Sequence, residues 1–281
     1  MITDEIESFS LENAQFPNNL VSCIGGRNEN QDSCGITETP RGLLVLVCDG
    51  MGGMAGGATA SRMAVQAITE YLSAQGNVED PEKSGATLLS EAILEANKAI
   101  LAYAAEHAEL AGMGTTVTAL LINEDRAAVA HVGDSRIYQL RGSRKVFRTF
   151  DHSMVFEMVR KKVITEEQAR LSAQSNIILR AVGLKENLEV ETSELAYKKG
   201  DVFFQCTDGV WGMMPEKELI KRISANKSPK EVTENLALFV HGEGIRGGSH
   251  HDNLSAALVK TTASSLYQVK EPFFSFLFPK N

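Results

Sequence analysis

The sequence lacks any apolar run long enough to span a membrane, which requires roughly 20 consecutive residues. Its start, MITDEIESFS, is acidic and has neither the basic nor the apolar segment of a secretion signal. There is no low-complexity segment, internal repeat or linker. We therefore expect a cytoplasmic, monomeric protein with a single domain over residues 1–281, its core spanning about residues 20–260.

Cysteine and positive charge are both scarce, and each scarcity excludes a class of protein. The 4 cysteines show no C-x-x-C spacing, and Cys48 and Cys206 lie within apolar segments where a thiol behaves as a small hydrophobic side chain. Lys and Arg number 28 against 36 Asp and Glu, and they are scattered without interleaved aromatic residues. The net charge of −8 and this scatter argue against a nucleic-acid surface.

The most informative stretch covers residues 42–61 and reads GLLVLVCDGMGGMAGGATAS. The apolar run 43–48 predicts a strand buried on both faces, and Asp49 ends it. An isolated carboxylate is costly in an apolar environment, and a divalent cation would offset its charge. The glycines that follow allow the backbone to approach such an ion closely, so that a carbonyl oxygen can also be a ligand. For this stretch alone, a tight turn before a helix is the alternative.

Further acids stand at the ends of other apolar segments: Asp32, Asp134, Asp208 and Asp252. Each alone can be a turn residue. Together with Asp49 they indicate that antiparallel strands bring carboxylates to one edge, and oxygen ligands in this number suit Mg²⁺ or Mn²⁺ better than Zn²⁺. We expect His250 and His251, which precede Asp252, to take no part in metal binding.

Arg27 begins a dense polar cluster, RNENQD, directly after the predicted strand 20–25. Its planar guanidinium suits phosphate, whereas a solvated turn is the alternative for the cluster. Pairing of strand 20–25 with strand 43–48 would place Arg27 and Asp32 beside Asp49.

Periodicity and capping signals place the other elements. Helices are predicted over 59–74, 87–107, 151–160, 165–171, 215–223 and 228–241, and strands over 114–123, 126–140, 189–196, 201–206 and 254–259. We expect 126–140 to be a strand pair within a hairpin meander, interrupted at Gly133-Asp134-Ser135, and 242–249 to be a glycine-rich loop. The charged segment 141–182 is predicted as an insertion of the kind that forms lids.

Two further features have structural explanations. His131 lies within an apolar strand and is predicted to be a hydrogen-bonded core histidine. The tail 271–281 is rich in aromatic residues but too short to span a membrane, so it either packs on the core or docks a partner.

Several motifs together resemble the PPM, or type-2C, family of metal-dependent protein serine/threonine phosphatases, in their order and context. They are RNENQD, VCDGMGG with GATAS, GTT, HVGDSRIY, DHS, FFQCTDGVWG and HDNLSAALV. The resemblance runs from about Val21 to Val259 and is to the bacterial branch of the family. It implies an α+β fold, a four-layer αββα sandwich of two antiparallel sheets flanked by helices, with a dinuclear Mn²⁺ or Mg²⁺ centre at one end.

The resemblance also implies a ligand set. Asp49 matches the carboxylate that bridges both ions, with the carbonyl of Gly50 as a further ligand. Asp208 and Asp252 match the acids that hold one ion, and Asp32 matches an acid around the other.

Asp134 matches the acid that holds a third, weaker ion together with Asp208, and Arg27 matches the phosphate-binding arginine. The implied activity is hydrolysis of phosphoserine and phosphothreonine in proteins by a water that bridges two ions. Asp49, Asp32 and Arg27 are then the catalytic residues, and the partners are phosphorylated proteins, substrates of a cognate Ser/Thr kinase.

The sequence departs from the family pattern at three places. Gln31 stands where many relatives have Glu, which predicts that water replaces a carboxylate around one ion. Met51 stands where eukaryotic relatives often have a His that protonates the leaving oxygen. The segment 171–180 lacks the His-Pro pair that is usual in bacterial relatives.

Two other functions remain open at this point. A catalytically silent relative that binds phosphoproteins would have lost metal acids, and none is lost. A phosphatase of small metabolites would keep the same acids, because loops determine the choice of substrate.

Overall fold

The computed structural model describes residues 6–52, 56–74, 83–248 and 251–266. Segments rich in apolar and β-branched residues form most of the strands. The strands are β1 (Ile6–Phe9), β2 (Asn18–Cys23), β3 (Asp32–Thr39), β4 (Gly42–Met51), β5 (Gly114–Thr115), β6 (Val117–Ile122), β7 (Ala127–Val132), β8 (Arg136–Arg141), β9 (Arg144–Arg148), β10 (Glu191–Leu195), β11 (Asp201–Cys206) and β12 (Leu254–Lys260). The helices are α1 (Gly56–Ala74), α2 (Gly85–Glu106), α3 (Met154–Arg160), α4 (Glu166–Arg170), α5 (Asp208–Trp211), α6 (Glu216–Ile223) and α7 (Pro229–Arg246), and Ala108–Leu110 forms a 3₁₀ turn.

The strands form two antiparallel sheets that face each other. The first has the order β1-β2-β12-β11-β8-β9, and the second has the order β10-β7-β6-β4-β3, with β5 paired to β4. Helices α1 and α2 pack on the outer face of the second sheet, and α3 to α7 pack on that of the first. A third core, with Val45, Leu120 and Phe203, fills the space between the sheets. The predicted α+β fold and its four αββα layers are therefore confirmed.

Helix α1 shows how the helices pack on the sheets. Ala64, Ile68 and Leu72 recur every four residues and are fully buried against the second sheet. Burial of a side chain such as that of Ile68 stabilises the fold by about 1.5–3 kcal/mol. This packing fixes α1, whose start at Gly56 and Gly57 lies against the end of β4.

The predicted hairpin over 126–140 is wrong. β7 pairs with β6 and β10 in the second sheet, whereas β8 pairs with β11 and β9 in the first. The chain changes sheets at Gly133, whose φ of +105° favours glycine, and a Cβ there would lie only 2.6 Å from Cγ2 of Thr116. This change of sheet leaves Asp134 buried at the end of the sandwich.

The pairing of 20–25 with 43–48, which would bring Arg27 and Asp32 beside Asp49, does not form. β2 pairs with β1 and β12, whereas β4 pairs with β3, β5 and β6. β3, which the sequence patterns do not predict, begins at Asp32 and places it directly opposite Asp49. The expected proximity of these two acids therefore arises from a different strand.

Helix starts agree well with the capping signals. Capping boxes of Thr165 with Gln168 and of Ser228 with Glu231 begin α4 and α7. The predicted loop over 242–249 is wrong at its start, because α7 continues to Arg246. The sequence patterns do not predict β1, β9 or α5, because these elements are short and lack a clear apolar period.

The aromatic tail 271–281 lies outside the described residues. Within the ranges that the structure does describe, no helix combines the length and apolar character needed to cross a bilayer.

Candidate metal centre

The five predicted aspartates gather at one end of the space between the sheets. Asp32 opens β3 and is the direct cross-strand partner of Asp49 near the end of β4. Asp208 begins α5 directly after β11, and Asp252 precedes β12, the antiparallel neighbour of β11. Asp134 lies in the turn between β7 and β8, and its charge and those of the other acids act on one another. The structure therefore brings all five together.

These carboxylates raise one another's pKa. Burial raises the pKa of Asp32 to about 7, and the charges of Asp208 and Asp252 add to the effect. Burial and the charge of Asp252 raise the pKa of Asp208 to about 6. The pKa values of Asp49 and Asp134 also lie well above the usual range, first through burial and then through neighbouring carboxylates. Such shifts indicate concentrated negative charge that a cation would neutralise.

Two of these side chains have an oxygen that lacks a hydrogen bond. Oδ1 of Asp134 and Oδ1 of Asp208 are buried and have no hydrogen-bond partner among the described residues. A buried polar atom left in this state costs about 1–3 kcal/mol. A hard divalent cation would satisfy both, and a donor set made only of oxygen fits Mg²⁺ or Mn²⁺. The residues present therefore fit the cations that the sequence predicts.

Two threonines fix the main chain of Asp49. Its N–H donates to Oγ1 of Thr116 at 2.9 Å, and its carbonyl accepts from the Thr116 N–H at 2.8 Å and from the Thr115 hydroxyl at 2.9 Å. Oγ1 of Thr116 also lies 2.8 Å from Oγ of Ser135, which ties the end of β4 to the turn that carries Asp134. The hydrogen bonds hold these two acids in a fixed relationship.

Gly50 has no room for a side chain. A Cβ there would lie 2.1 Å from the carbonyl oxygen of Gly57 and 2.6 Å from that of Gln31. The N–H of Gly50 donates to the Gln31 carbonyl at 3.1 Å, and the hydroxyl of Ser61 donates to the same oxygen at 2.7 Å. The glycines thus allow the end of β4 to pack directly against the start of α1, while the role of the Gly50 carbonyl as a ligand stays a prediction.

Side chains from two directions hold the turn around Asp134. The main-chain N–H of His152 donates to the carbonyl of Gly133 at 2.9 Å, and the Gly133 N–H donates to Nδ1 of His152 at 3.2 Å. The indole Nε1–H of Trp211 donates to the carbonyl of Asp134 at 3.0 Å. Because Trp211 lies in the same short helix as Asp208, this bond links the two acids whose Oδ1 atoms lack hydrogen bonds.

The guanidinium of Arg136 packs against the ring of Trp211. Its guanidinium carbon lies 3.7 Å from the ring centre of Trp211 and 4.9 Å from that of Phe156 in α3. It also donates to both carboxylate oxygens of Asp151, at 2.9 and 2.7 Å. Both members of this pair are buried, and the two-point contact offsets their desolvation. Both carboxylate oxygens of Asp151 therefore accept hydrogen bonds from Arg136.

Arg27 lies at the rim of the acid cluster. Its side chain is 54% exposed, and its Nη2 lies 2.6 Å from Oδ2 of Asp252. The buried side chain of Asn253 holds the loop that carries Arg27, since its Nδ2 donates to the carbonyls of Ile24 at 2.7 Å and Glu29 at 3.0 Å. A cationic fork on a fixed loop beside the acids is well placed for a phosphoryl group.

Thr207 joins the two sheets next to the centre. Its hydroxyl donates to Oδ2 of Asp32 at 3.1 Å and accepts from the N–H of Ser255 at 3.0 Å. It thereby fixes the orientation of the Asp32 carboxylate from the strand that leads into Asp208.

The structure tests the prediction for His131, whereas the prediction that His250 and His251 bind no metal stays a prediction. Nε2 of His251 lies 3.0 Å from Nδ1 of His241, whereas His250 lies outside the described residues. His131 is buried, and its Nε2 donates to the carbonyl of Phe150 at 3.1 Å, so its prediction as a core histidine is confirmed.

His131, His152 and Glu191 place possible ligand atoms within 4.8 Å of one another. Their hydrogen bonds argue against a second metal site. Nδ1 of His152 accepts from Gly133, so the proton lies on Nε2, which donates to Glu191 at 3.2 Å. A cation on Nε2 would require the bond to Gly133 to break. The cluster instead connects β10 with the turn around Asp134.

Sequence reasoning missed the residues that support the acids. Thr116, Thr207, Trp211 and Asn253 belong to the motifs GTT, FFQCTDGVWG and HDN, but no role follows from their position alone. The available signal was a hydrogen-bonding side chain next to an acid at the end of an apolar run.

Comparisons with known proteins identify the family that the chain resembles in sequence and fold. The sequence model of the protein phosphatase 2C family matches residues 21–241. The serine/threonine phosphatase stp of Listeria innocua serovar 6a is 34% identical over 235 residues, which cover 83% of this chain and 91% of the relative. The solved structure of the Mycobacterium tuberculosis serine/threonine phosphatase PstP/Ppp is similar with a TM-score of 0.72 and 26% identity, over 88% of this chain and 98% of that chain. The catalytic domain of PstP in complex with 2 manganese ions gives a TM-score of 0.70 and 28% identity, again over 88% and 98% of the two chains.

Proposed function

The chain belongs to the protein phosphatase 2C family, and we propose that it is a metal-dependent phosphatase that hydrolyses phosphoserine and phosphothreonine in proteins. The observation that carries this proposal is the pair of buried Oδ1 atoms of Asp134 and Asp208, which lack hydrogen bonds inside a cluster of five acids. The relatives named above are serine/threonine phosphatases, and one solved relative contains manganese.

The acids divide among the cations as the family pattern implies. Asp49 and the carbonyl of Gly50 would help to hold two Mn²⁺ or Mg²⁺ ions, with Asp208 and Asp252 as ligands of one and Asp32 as a ligand of the other. When bound, two such ions lower the pKa of a bridging water and neutralise the charge of the phosphoryl group. The direct opposition of Asp32 and Asp49 supports a cation beside both of them, because like charges opposite each other on a strand pair are otherwise destabilising. Asp134 and Asp208 would hold a third, weaker ion.

Arg27 binds the phosphoryl oxygens. Its guanidinium is exposed, lies on a loop held by Asn253, and already contacts the carboxylate of Asp252. Two parallel N–H bonds from arginine match the geometry of a phosphate, so this residue orients the substrate rather than supplying a proton.

The leaving oxygen takes its proton from water. Met51 ends β4 opposite Gly114, and its thioether has no proton to donate. This makes the leaving group of a phosphoserine, an alkoxide, more dependent on solvent than an aryl leaving group.

The test compares phosphate release from phosphothreonine and phosphoserine peptides with release from small phosphate esters, in Mn²⁺ and in excess chelator. The proposal predicts Mn²⁺-dependent turnover of the peptides with the higher kcat/KM. Hydrolysis of small metabolites alone would instead identify a small-molecule phosphatase. Binding of phosphopeptides without turnover would identify a silent phosphoprotein-binding relative. All five acids are present, which favours the enzyme over this last function.

A further inference from the structure

A groove opens on the side of the sandwich next to the metal centre. It is a cavity of about 540 Å³, within the range of ligand pockets, and it lies where the edges of the two sheets meet α1. Asp32 and Cys34 of β3 form its floor, Arg62, Gln66 and Glu70 of α1 form one wall, and Glu7 of β1 contributes to the other.

The floor of this groove is the edge of a sheet. β3 is the last strand of the second sheet and pairs with β4 on one side, and no other strand of the described residues pairs with it. The free side of such a strand presents main-chain N–H and C=O groups that a further strand can pair with. A groove between an edge strand and a helix suits an extended peptide, which gains affinity from main-chain hydrogen bonds and selectivity from side-chain pockets.

The groove adjoins the candidate metal centre at Asp32, the one acid of the cluster among the lining residues of the groove. Asp32 is both the first residue of β3 and a member of the acid cluster. A strand rises about 3.3 Å per residue, so a peptide along β3 would leave the centre and reach Cys34 within two residues. The polypeptide on one side of a phosphorylated residue at the centre would therefore lie in this groove.

The charges of the groove favour one kind of side chain. Apart from Asp32, Glu7 and Glu70 outnumber Arg62 among the charged side chains that line it. Nε2 of Gln66 donates to Oε1 of Glu70 at 2.8 Å, which orients that carboxylate. A Lys or Arg of the bound peptide would find complementary charge here.

We propose that this groove binds the polypeptide of the phosphoprotein substrate next to its phosphorylated residue, as an added strand on β3. The inference rests on the proposed function and adds to it a peptide subsite with a preference for basic side chains. It gives a physical reason for the enzyme to distinguish proteins from small phosphate esters.

A backbone N-methyl scan tests the main-chain pairing. A phosphothreonine peptide that the wild-type enzyme turns over in Mn²⁺ is methylated at one backbone nitrogen at a time on each side of the phosphorylated residue. Only every second N–H of an added strand points at β3, so kcat/KM should fall about tenfold at alternate positions on one side and stay nearly constant at those between. A flat profile, or equal losses at successive positions, would overturn the added-strand pairing.

A matched pair of variants tests the location. Gln66→Trp fills the groove from an exposed position, and Ser73→Trp places the same ring on an exposed site of α1 outside it. Gln66→Trp should lower the ratio of peptide to p-nitrophenyl phosphate kcat/KM by about tenfold, mainly through KM for the peptide. Ser73→Trp should keep the wild-type ratio. An unchanged ratio in Gln66→Trp overturns the subsite while wild-type turnover of the peptide still supports the phosphatase, whereas a wild-type enzyme inactive on every phosphopeptide overturns both.

Discussion

The indole Nε1–H of Trp211 donates to the main-chain carbonyl of Asp134 across 77 positions of sequence, at 3.0 Å. Trp211 lies one turn after Asp208, and its ring stacks on the guanidinium of Arg136. One buried hydrogen bond therefore fixes the positions of Asp134 and Asp208 relative to each other. These are the two acids whose buried Oδ1 atoms lack hydrogen bonds. Their separation, and with it the site for a shared cation, depends on packing that lies behind the centre.

Trp211→Phe should loosen the relative placement of Asp134 and Asp208 without removing either acid. The variant keeps an aromatic ring, but the smaller phenyl group lacks the donor and leaves a cavity, so we expect a loss of stability of at least about 1 kcal/mol and a several-fold higher Mn²⁺ concentration for half-maximal turnover of a phosphopeptide. Tyr138→Phe is the matched control, since it removes a hydroxyl 3.3 Å from Arg136 Nη1 and leaves the bond to Asp134 intact. An equal shift of the Mn²⁺ dependence in both variants would contradict a specific role of Trp211.

Asp134→Ala should keep two tightly bound ions and lose the third. An ion held by few carboxylates and several waters binds weakly, so its loss leaves the others in place. We expect most activity on phosphopeptides to disappear, with the Mn²⁺ dependence of the rate shifted or flattened. Calorimetric titration with Mn²⁺ beside a phosphopeptide assay provides the measurement. If Asp134 only shapes the turn, stability falls by about 1 kcal/mol while turnover per folded molecule stays constant.

The metal-free protein should lose stability as the pH rises from about 4 to about 7. Asp32 has a pKa raised by burial from 3.8 to about 7, so across this interval the folded chain holds a proton that the unfolded chain has lost. The stabilisation is complete below the lower value and is lost as the pH passes the upper one. Asp208, with a pKa raised to about 6, contributes in the same direction. Mn²⁺ should remove the decline because it stabilises the ionised carboxylates.

The measurement is the melting temperature in chelator across this pH interval, for the wild type and for Asp32→Asn. The variant is needed because His131 acts in the opposite direction. Burial lowers its pKa from 6.5 to about 4, so its contribution is present above the higher value and is lost as the pH falls. The difference between wild type and Asp32→Asn cancels this effect. A difference that does not change with pH would show that Asp32 titrates normally.

Arg27 should act on binding of the phosphoryl group. Loss of a two-point charged contact predicts a fall in kcat/KM of about 10- to 100-fold for Arg27→Ala, with partial recovery in Arg27→Lys. Arg246→Ala, at an exposed arginine in the last turn of α7, is the control and should behave as wild type. Full activity of Arg27→Ala on peptides would remove this residue from the site.

The acids were predictable because each one breaks a local rule. A carboxylate at the end of a buried apolar run, as at Asp49 and Asp208, has no reason to be there unless something offsets its charge. The apolar periods and caps likewise predicted α1, α2, α4 and α7. The resemblance to a known family then supplied the order of the layers and the roles of the acids.

The errors arose where distant parts of the chain decide the outcome. A Gly-Asp-Ser turn reads the same whether it closes a hairpin or carries the chain to another sheet, and the outcome depends on the pairing of β7 and β8 with strands that are distant in sequence. β3, DSCGITET, has a weak apolar pattern because it is an edge strand with only one pairing partner. The hydrogen bond of Trp211 to Asp134 has no local signature at all.

Phosphate release from a phosphothreonine peptide by Asp49→Asn at saturating Mn²⁺ tests whether catalysis depends on a metal centre at Asp49. The substitution keeps the shape of the side chain and removes its charge, while the main chain stays bound to Thr115 and Thr116. With folding checked by circular dichroism, we expect turnover to fall by at least about a thousandfold, a larger loss than in Arg27→Ala. A folded Asp49→Asn protein with turnover close to wild type would contradict a metal centre built on this carboxylate.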